Sequence, residues 1–203
     1  MSISTSDWKE LARKKFAEGI IEHTGMDMAK LEEMLEHIPI RFFPKGTLLM
    51  RQGEAVETCY HIIEGCARKY VIDEEGNEIT YDFFMENQSI ALFRPEELQE
   101  SPCSIVCIED SVMVVGDLST EQESYEQYPE FALITRSMIE GNLGELQDEN
   151  AVFIRLPAEE RVRRMMKRRP ELFTRVPQHQ LASYLGMTPE SLSRIKRRLA
   201  QES

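Results

Sequence analysis

The sequence predicts an α+β protein: an antiparallel β-roll or jelly roll, then a long helix, then a C-terminal helical helix-turn-helix domain. Three observations carry this expectation. From Arg41 to Asp117, short extended segments alternate with turns rich in Gly and Asn. After "YEQYPE" the apolar spacing turns helical and stays so. The final stretch "LASYLGMTPESLSRIKRRLA", Leu181 to Ala200, sets two short helices about one glycine. The expected division is residues 1–127 for N-terminal helices and β-roll, 128–156 for the long helix, and 157–203 for the helix-turn-helix domain.

Taken in order, "TSDWKELARKKFAEGII" has helical spacing through Trp8, Leu11, Ala12, Lys15 and Phe16. "DMAKLEEMLEHI" follows as a second helix with Leu31, Met34, Leu35 and Ile38 on one face. The strands are then "RFF", "TLLM", "CYHII", "ARKYVI", "EITYDFF", "SIVCI" and "VMVV". Short strands at such spacing suit an antiparallel barrel or jelly roll. Glu75-Gly76-Asn77 is the clearest hairpin turn, because Gly and Asn tolerate positive φ.

Pro129 suits a first helical turn, and the helix it opens runs to about Arg155. A heptad seam passes through Ala132, Arg136, Ile139, Leu143, Leu146, Asn150 and Phe153. Such a seam pairs a helix with its copy across a dimer axis, Asn150 fixing the register. The same stripe also fits a helix that covers its own barrel. In "PAEERVRRMMKRR", Glu159 and Glu160 sit in the first turn and Lys167, Arg168 and Arg169 in the last, matching the helix dipole.

The 203-residue chain carries net charge −12, and that average hides an asymmetry. Residues 155–203 hold 12 Lys and Arg against 5 Glu, a net of +7, whereas the residues before them net −19. Opposite signs suggest two jobs, with the basic part the nucleic-acid candidate. No run of 18 apolar residues occurs and "MSISTSDWKE" lacks a signal-peptide pattern, so the expected location is cytoplasmic, with no membrane partner.

The final stretch resolves position by position. Pro177 starts a helix carrying Leu181, Ala182 and Leu185 inward, and Gly186 lies just past its end. Thr188 is a good N-cap and Pro189 a good first residue for the second helix. That helix turns Leu192, Ile195 and Leu199 to one side and Glu190, Arg194 and Arg197 to the other, flanked by Ser191, Ser193 and Arg198. Arg is suited to guanine O6 and N7, and Glu to cytosine N4. Gln178, His179, Ser191 and the amides following Thr188 and Pro189 suit phosphates, which position without specifying. A plain helical hairpin with a solvated charged face is the alternative.

With these residues in view, the chain resembles the Crp/Fnr family of bacterial transcription regulators along nearly its whole length. "VPQHQLASYLGMTPESLSRIKRRL" is similar to that family's helix-turn-helix, with Glu190 and Arg194 where members carry base-reading residues. "KGTLLMRQGEAVETCYHIIEGCARKYVIDEEGNEITYDFF" resembles the cyclic-nucleotide-binding β-roll through Gly46, Gly53-Glu54, Tyr60-x-Ile62, Gly65 and the Gly76 hairpin. The resemblance implies a homodimer on a two-fold-related DNA operator that regulates RNA polymerase access. It also implies an effector pocket around Phe84, Ile90, Ala91, Leu92, Phe93, Arg94, Pro102, Cys103 and Ser104.

Two departures matter. The family's phosphate cassette has Gly-Glu and, some ten residues on, Arg followed by Ser or Thr; here Ala91-Leu92 and Pro102-Cys103 stand instead, and Arg94 is misplaced. An uncompensated phosphate in an apolar pocket is costly, so no tight cyclic-AMP binding is expected, no cofactor is predicted, and the effector is unknown. The sequence also ends at Ser203, after the recognition helix, without the β-hairpin wing of many members, which implies weaker DNA binding or more reliance on the dimer.

Cys59, Cys66, Cys103 and Cys107 include no N-terminal cluster of the kind iron–sulfur members use. Cys103 and Cys107 share a strand face at about 13 Å, too far to chelate one metal. His23, His37, His61 and His179 are scattered, which argues against a metal-dependent cupin enzyme. No catalytic constellation is present, so the expectation is a non-enzyme. The remaining alternative is a ligand-binding or protein-interaction module whose helix-turn-helix no longer binds DNA.

Overall fold

The computed structural model describes residues 5–24, 27, 31, 35, 38–90, 100–118, 123, 125–126, 129–130, 132–136 and 155–202. They form two compact units: residues 1–68 with 83–144, and residues 69–82 with 145–203. Among the described residues no helix is long and apolar enough to cross a membrane.

The chain begins with α1 (Thr5–Thr24), followed by the strands β1 (Ile40–Phe43), β2 (Leu48–Met50), β3 (Thr58–Glu64), β4 (Ala67–Ile72), β5 (Glu78–Phe84), β6 (Ser89–Ile90), β7 (Ser104–Cys107) and β8 (Ser111–Asp117), of which residues 69–82 group with the second unit and the rest with the first. They make two four-stranded sheets, ordered β1-β8-β3-β6 and β2-β7-β4-β5. The β3–β8 ladder is antiparallel from Thr58↔Asp117 to Glu64↔Val112, with a register shift between Ile62 and Glu64.

Alternation along these strands assigns two faces. Ile62 and Met113 are fully buried within the roll, as are Ile90, Ile105 and, at 1% exposure, Phe83. Ile63, Val112 and Val114 point the other way, into a cluster with Ala12, Phe16, Ala17, Ile20, Leu31, Leu35, Ile40 and Ile134. Phe16 also lies against His61, ring centroids 5.0 Å apart. The α1 face expected from the sequence holds for Ala12 and Phe16, but Leu11 is exposed, and Lys15 pairs with Glu64 at 2.6 Å. The second expected helix lies largely outside the described residues, although Leu31 and Leu35 are buried as its spacing requires.

The turn from β4 to β5 closes at Asp73, whose amide donates to the Asn77 carbonyl at 3.0 Å. The Asp73 carboxylate accepts the amides of Glu75 and Asn77 at 3.0 and 2.8 Å. Gly76 takes φ 84°, the left-handed position that ends a three-residue hairpin loop.

The second unit joins that hairpin's residues 69–82 to the C-terminal helices. These are α2 (Ala158–Arg168), α3 (Leu172–Arg175), α4 (Gln178–Tyr184) and α5 (Pro189–Glu202). Their shared core is Val162, Met165, Leu172, Val176, Leu181, Ala182, Leu185, Leu192, Ile195 and Leu199. The acids and bases of α2 sit at its expected ends, and α3 is a short element the sequence did not signal.

Candidate nucleic-acid interface

The turn between α4 and α5 is built by its backbone. The Met187 amide donates to the Ala182 carbonyl and the Gly186 amide to the Ser183 carbonyl, both at 3.0 Å. That pair of bonds, with Gly186 at φ 64°, is a Schellman cap closed by a left-handed residue. Arg161 of α2 braces the same turn, donating to the Gly186 carbonyl at 3.5 Å and to the Leu156 carbonyl at 3.2 Å. Immediately after the turn, the Thr188 hydroxyl accepts the Ser191 amide at 3.3 Å, the N-cap expected from the sequence.

On α5, Leu192, Ile195 and Leu199 are buried, while Glu190, Arg194 and Arg197 are exposed together on the opposite side. Glu190 is held below the usual carboxylate pKa by its own backbone N–H first and by the Thr188 hydroxyl next, against a small opposing effect of burial. It is therefore a hydrogen-bond acceptor at neutral pH. Arg194 leans back along the helix to donate to the Ser191 hydroxyl at 3.4 Å. His179 is exposed and Ser193 half-buried.

Two residues expected to contact DNA, both exposed, also make contacts within the chain. Arg198 is drawn to α2, where it pairs with Glu159, which also takes Arg163 at 3.3 Å. Gln178 donates to the Pro189 carbonyl at 3.0 Å and ties together the starts of α4 and α5. Lys196 lies 5.4 Å over the Phe173 ring, a brace from α3 that no local spacing announced.

Five residues of the expected effector pocket are among the described residues. Ile90, Cys103 and Ser104 are buried, Phe84 is half-buried and Pro102 is exposed; Phe83, not Phe84, fills the roll. Ala91, Leu92, Phe93 and Arg94 lie outside the described residues. The nearby polar atoms hold the chain to itself: the Ser101 hydroxyl donates to the Cys103 carbonyl at 2.6 Å and the Ser104 hydroxyl accepts the Gln52 amide at 3.0 Å. Cys66, Cys103 and Cys107 are buried and Cys59 is half-buried, and none of the four is in a disulfide. Among the described residues no three His, Cys, Asp or Glu side chains gather as a metal site. Of the expected dimer seam, Ala132 is half-buried and Arg136 exposed, both in helical turns; Ile139, Leu143, Leu146, Asn150 and Phe153 lie outside the described residues.

Residues 40–126 match the cyclic nucleotide-binding domain family. The chain is 37% identical over 87 residues to the cAMP-activated global transcriptional regulator CRP of Pasteurella multocida, covering 37% of this chain and 40% of that protein. It is 35% identical over 60 residues to CRP of Salmonella typhimurium, covering 30% of this chain and 29% of the relative. The matched stretches thus span well under half of these curated relatives. Among solved structures it resembles FixK2 from Bradyrhizobium japonicum, with TM-score 0.66, 19% identity and coverage of 81% and 85% of the two chains. It also resembles the c-di-GMP responsive global regulator CLP of Xanthomonas campestris, with TM-score 0.67, 18% identity and coverage of 87% and 93%.

Proposed function

We propose that this chain, whose residues 40–126 match the cyclic nucleotide-binding domain family, is a sequence-specific DNA-binding transcription regulator of Crp/Fnr type. It acts as a homodimer on a two-fold-related operator, placing α5 of each copy in the major groove and governing the access of RNA polymerase. The observation that carries this reading is the α5 face. Glu190, Arg194 and Arg197 stand exposed together on a helix whose turn, cap and buried side are all built. Arg194 and Arg197 read guanine, Glu190 accepts from cytosine, and Gln178, His179, Ser191 and the amides at the start of α5 meet phosphates.

Binding to DNA upstream of its own gene, measured by fluorescence anisotropy across a salt series, tests this. A log–log salt slope of several units is expected. Arg194→Ala with Arg197→Ala should weaken specific binding by several kcal/mol, at about 1–3 kcal/mol per base contact. Equal binding by the double variant overturns the assignment and favours an interaction module.

The β-roll, on the same proposal, does not bind cyclic AMP tightly. Pro102 and Cys103 stand where a phosphate would need a cation, and Ser101 and Ser104 are committed to the chain's own backbone. Calorimetry with cyclic AMP is expected to give no affinity in the micromolar range, and a tighter value would reverse this part. A relative in fold, CLP, is described as responsive to c-di-GMP, which supports a roll of this kind taking an effector other than cyclic AMP.

A further inference from the structure

We propose that Ser191 is a positioning residue of the α5 face: backed by the Thr188 hydroxyl, it seats Arg194 toward the start of the helix and so sharpens the reading of guanine. The seat is a matter of geometry; its effect on guanine rests on the proposed function. Thr188, Ser191 and Arg194 recur every third position, so their side chains stand one above the other along one side of the helix. The Arg194 guanidinium donates through Nη2 to the Ser191 hydroxyl at 3.4 Å, and the Thr188 hydroxyl donates to the same oxygen at 3.2 Å. The Ser191 amide donates back to the Thr188 hydroxyl at 3.3 Å. The cap of the helix and the seat of the arginine therefore share two residues.

Local chemistry explains why this serine is available. Thr188 is the N-cap, which makes Ser191 the third residue of the helix, where a Glu or Gln commonly reaches back to the cap amide. Serine is too short for that reach, and within a helix it usually turns to a backbone carbonyl of the preceding turn. Here its oxygen takes two donors, which leaves its own proton for a phosphate. Helix side chains lean toward the N-terminus, and the first residues of a recognition helix are those that meet base edges. Arg194 is thus held at the reading end of α5. A guanidinium carries five N–H donors, so one bond to Ser191 is compatible with a two-pronged contact to guanine. A free arginine has many rotamers to lose on binding, and a side chain already held in one of them favours the base that fits it. Leu192 and Ile195, buried on the far side, fix the backbone beneath the row. Arg197, three positions further on, has Arg194 behind it where Arg194 has a hydroxyl, so it is the internal comparison.

Side-chain nitrogen relaxation on the full chain tests the seat without DNA, on the picosecond-to-nanosecond scale of rotamer motion. In the wild type the Arg194 Nε should be clearly more ordered than the Arg197 Nε. Ser191→Ala and Thr188→Val should each bring Arg194 down to the level of Arg197, and Thr188→Ser should restore it. Equal order of the two arginines in the wild type overturns the proposal, as does an Arg194 unmoved by Ser191→Ala. If Thr188→Val also loosens the backbone at the start of α5, Ser191→Ala decides, because it keeps the amide bond to the cap. The consequence for DNA is read on the stretch upstream of the gene, with single base-pair replacements. The guanine of Arg194 is the position at which Arg194→Ala ceases to discriminate. Ser191→Ala should lower discrimination there by about three- to ten-fold, the range for one lost hydrogen bond. Loss of a phosphate contact weakens all sequences alike, so a uniform loss with discrimination intact overturns the positioning role. A wild-type chain that binds no DNA removes the proposed function and leaves the relaxation result to decide whether Ser191 seats Arg194.

Discussion

A methyl group added to Gly65 would lie 2.2 Å from the Ser111 hydroxyl oxygen and 2.7 Å from the Ser111 Cα, at a backbone φ of 114°. Backbone on the opposing strand cannot step aside, so the residue is fixed twice, by conformation and by space. Gly186 is fixed only once. Its φ is 64°, but the nearest atom to an added Cβ is the tip of Arg161 at 3.8 Å. Gly186→Ala should therefore lower unfolding free energy by only about 1–2 kcal/mol, the left-handed penalty for an L-residue. Gly65→Ala should lower it by clearly more or abolish folding; urea denaturation that ranks them the other way contradicts this. The thiols offer a second test at this scale. Burial pushes the Cys107 pKa up to about 11, against the opposing Ser111 hydrogen bond, so almost none is thiolate at pH 8. Maleimide labelling of the native protein should reach half-buried Cys59 first and Cys107 only after denaturant is added. Early labelling of Cys107, read by peptide mass, would show that this part of β7 opens. Such details were partly legible: the sequence marked Gly186 through its neighbours Thr188 and Pro189. Nothing near Arg198 revealed that Glu159, thirty-nine positions away, would take it.

At the scale of elements, strands and helices were legible where a pattern had room to declare itself. "EITYDFF" alternates over its first six residues and became β5 with the same bounds. Ser89–Ile90 is too short to alternate and went unseen, as did the four residues of α3. The partners of β5 were not legible at all, because Asp82 meets Arg169 across 87 positions and neither residue carries a local mark of it. The hairpin turn is the element whose chemistry answers to pH. Asp73 is held below the ordinary aspartate pKa chiefly by the Asn77 amide, then, against burial, by the Asn77 side chain and the amides of Glu75 and Gly76. A depressed carboxyl contributes stability that is present above its unfolded pKa, near about 4, and lost as pH falls through the lower folded value. Protection of the Asn77 amide should accordingly fall on acidification below about pH 4. Asp73→Asn should remove most of that dependence, and an Asn77 amide indifferent to acid in the wild type contradicts the assignment. The α5 cap gives a parallel measure: Thr188→Ala should cost about 1 kcal/mol of stability in thermal or urea melts.

For the whole molecule, charge is the property that sequence alone makes plain and that structure refines. The chain is −12 overall, yet its last 49 residues carry +7, so on the proposed function the C-terminal residues attract DNA and the residues before them repel it. Screening separates the two. At about 0.15 M salt the Debye length is about 8 Å, so direct contacts to DNA would persist while charges further off than that are largely screened. Glu74 and Glu75 are exposed in the hairpin turn that groups with the C-terminal helices. On the proposed function, Glu74→Gln with Glu75→Gln should therefore raise the association rate with non-specific duplex DNA at low salt by roughly a few-fold. The advantage should shrink toward nothing as salt approaches physiological strength, and dissociation from the specific operator should be unchanged. Stopped-flow anisotropy over a salt series reads both quantities. A gain that survives at high salt would mean that these carboxylates touch DNA directly. No gain at low salt would mean that the acidic part of the chain does not shape its encounter with DNA, and that the net charge bears on solubility alone.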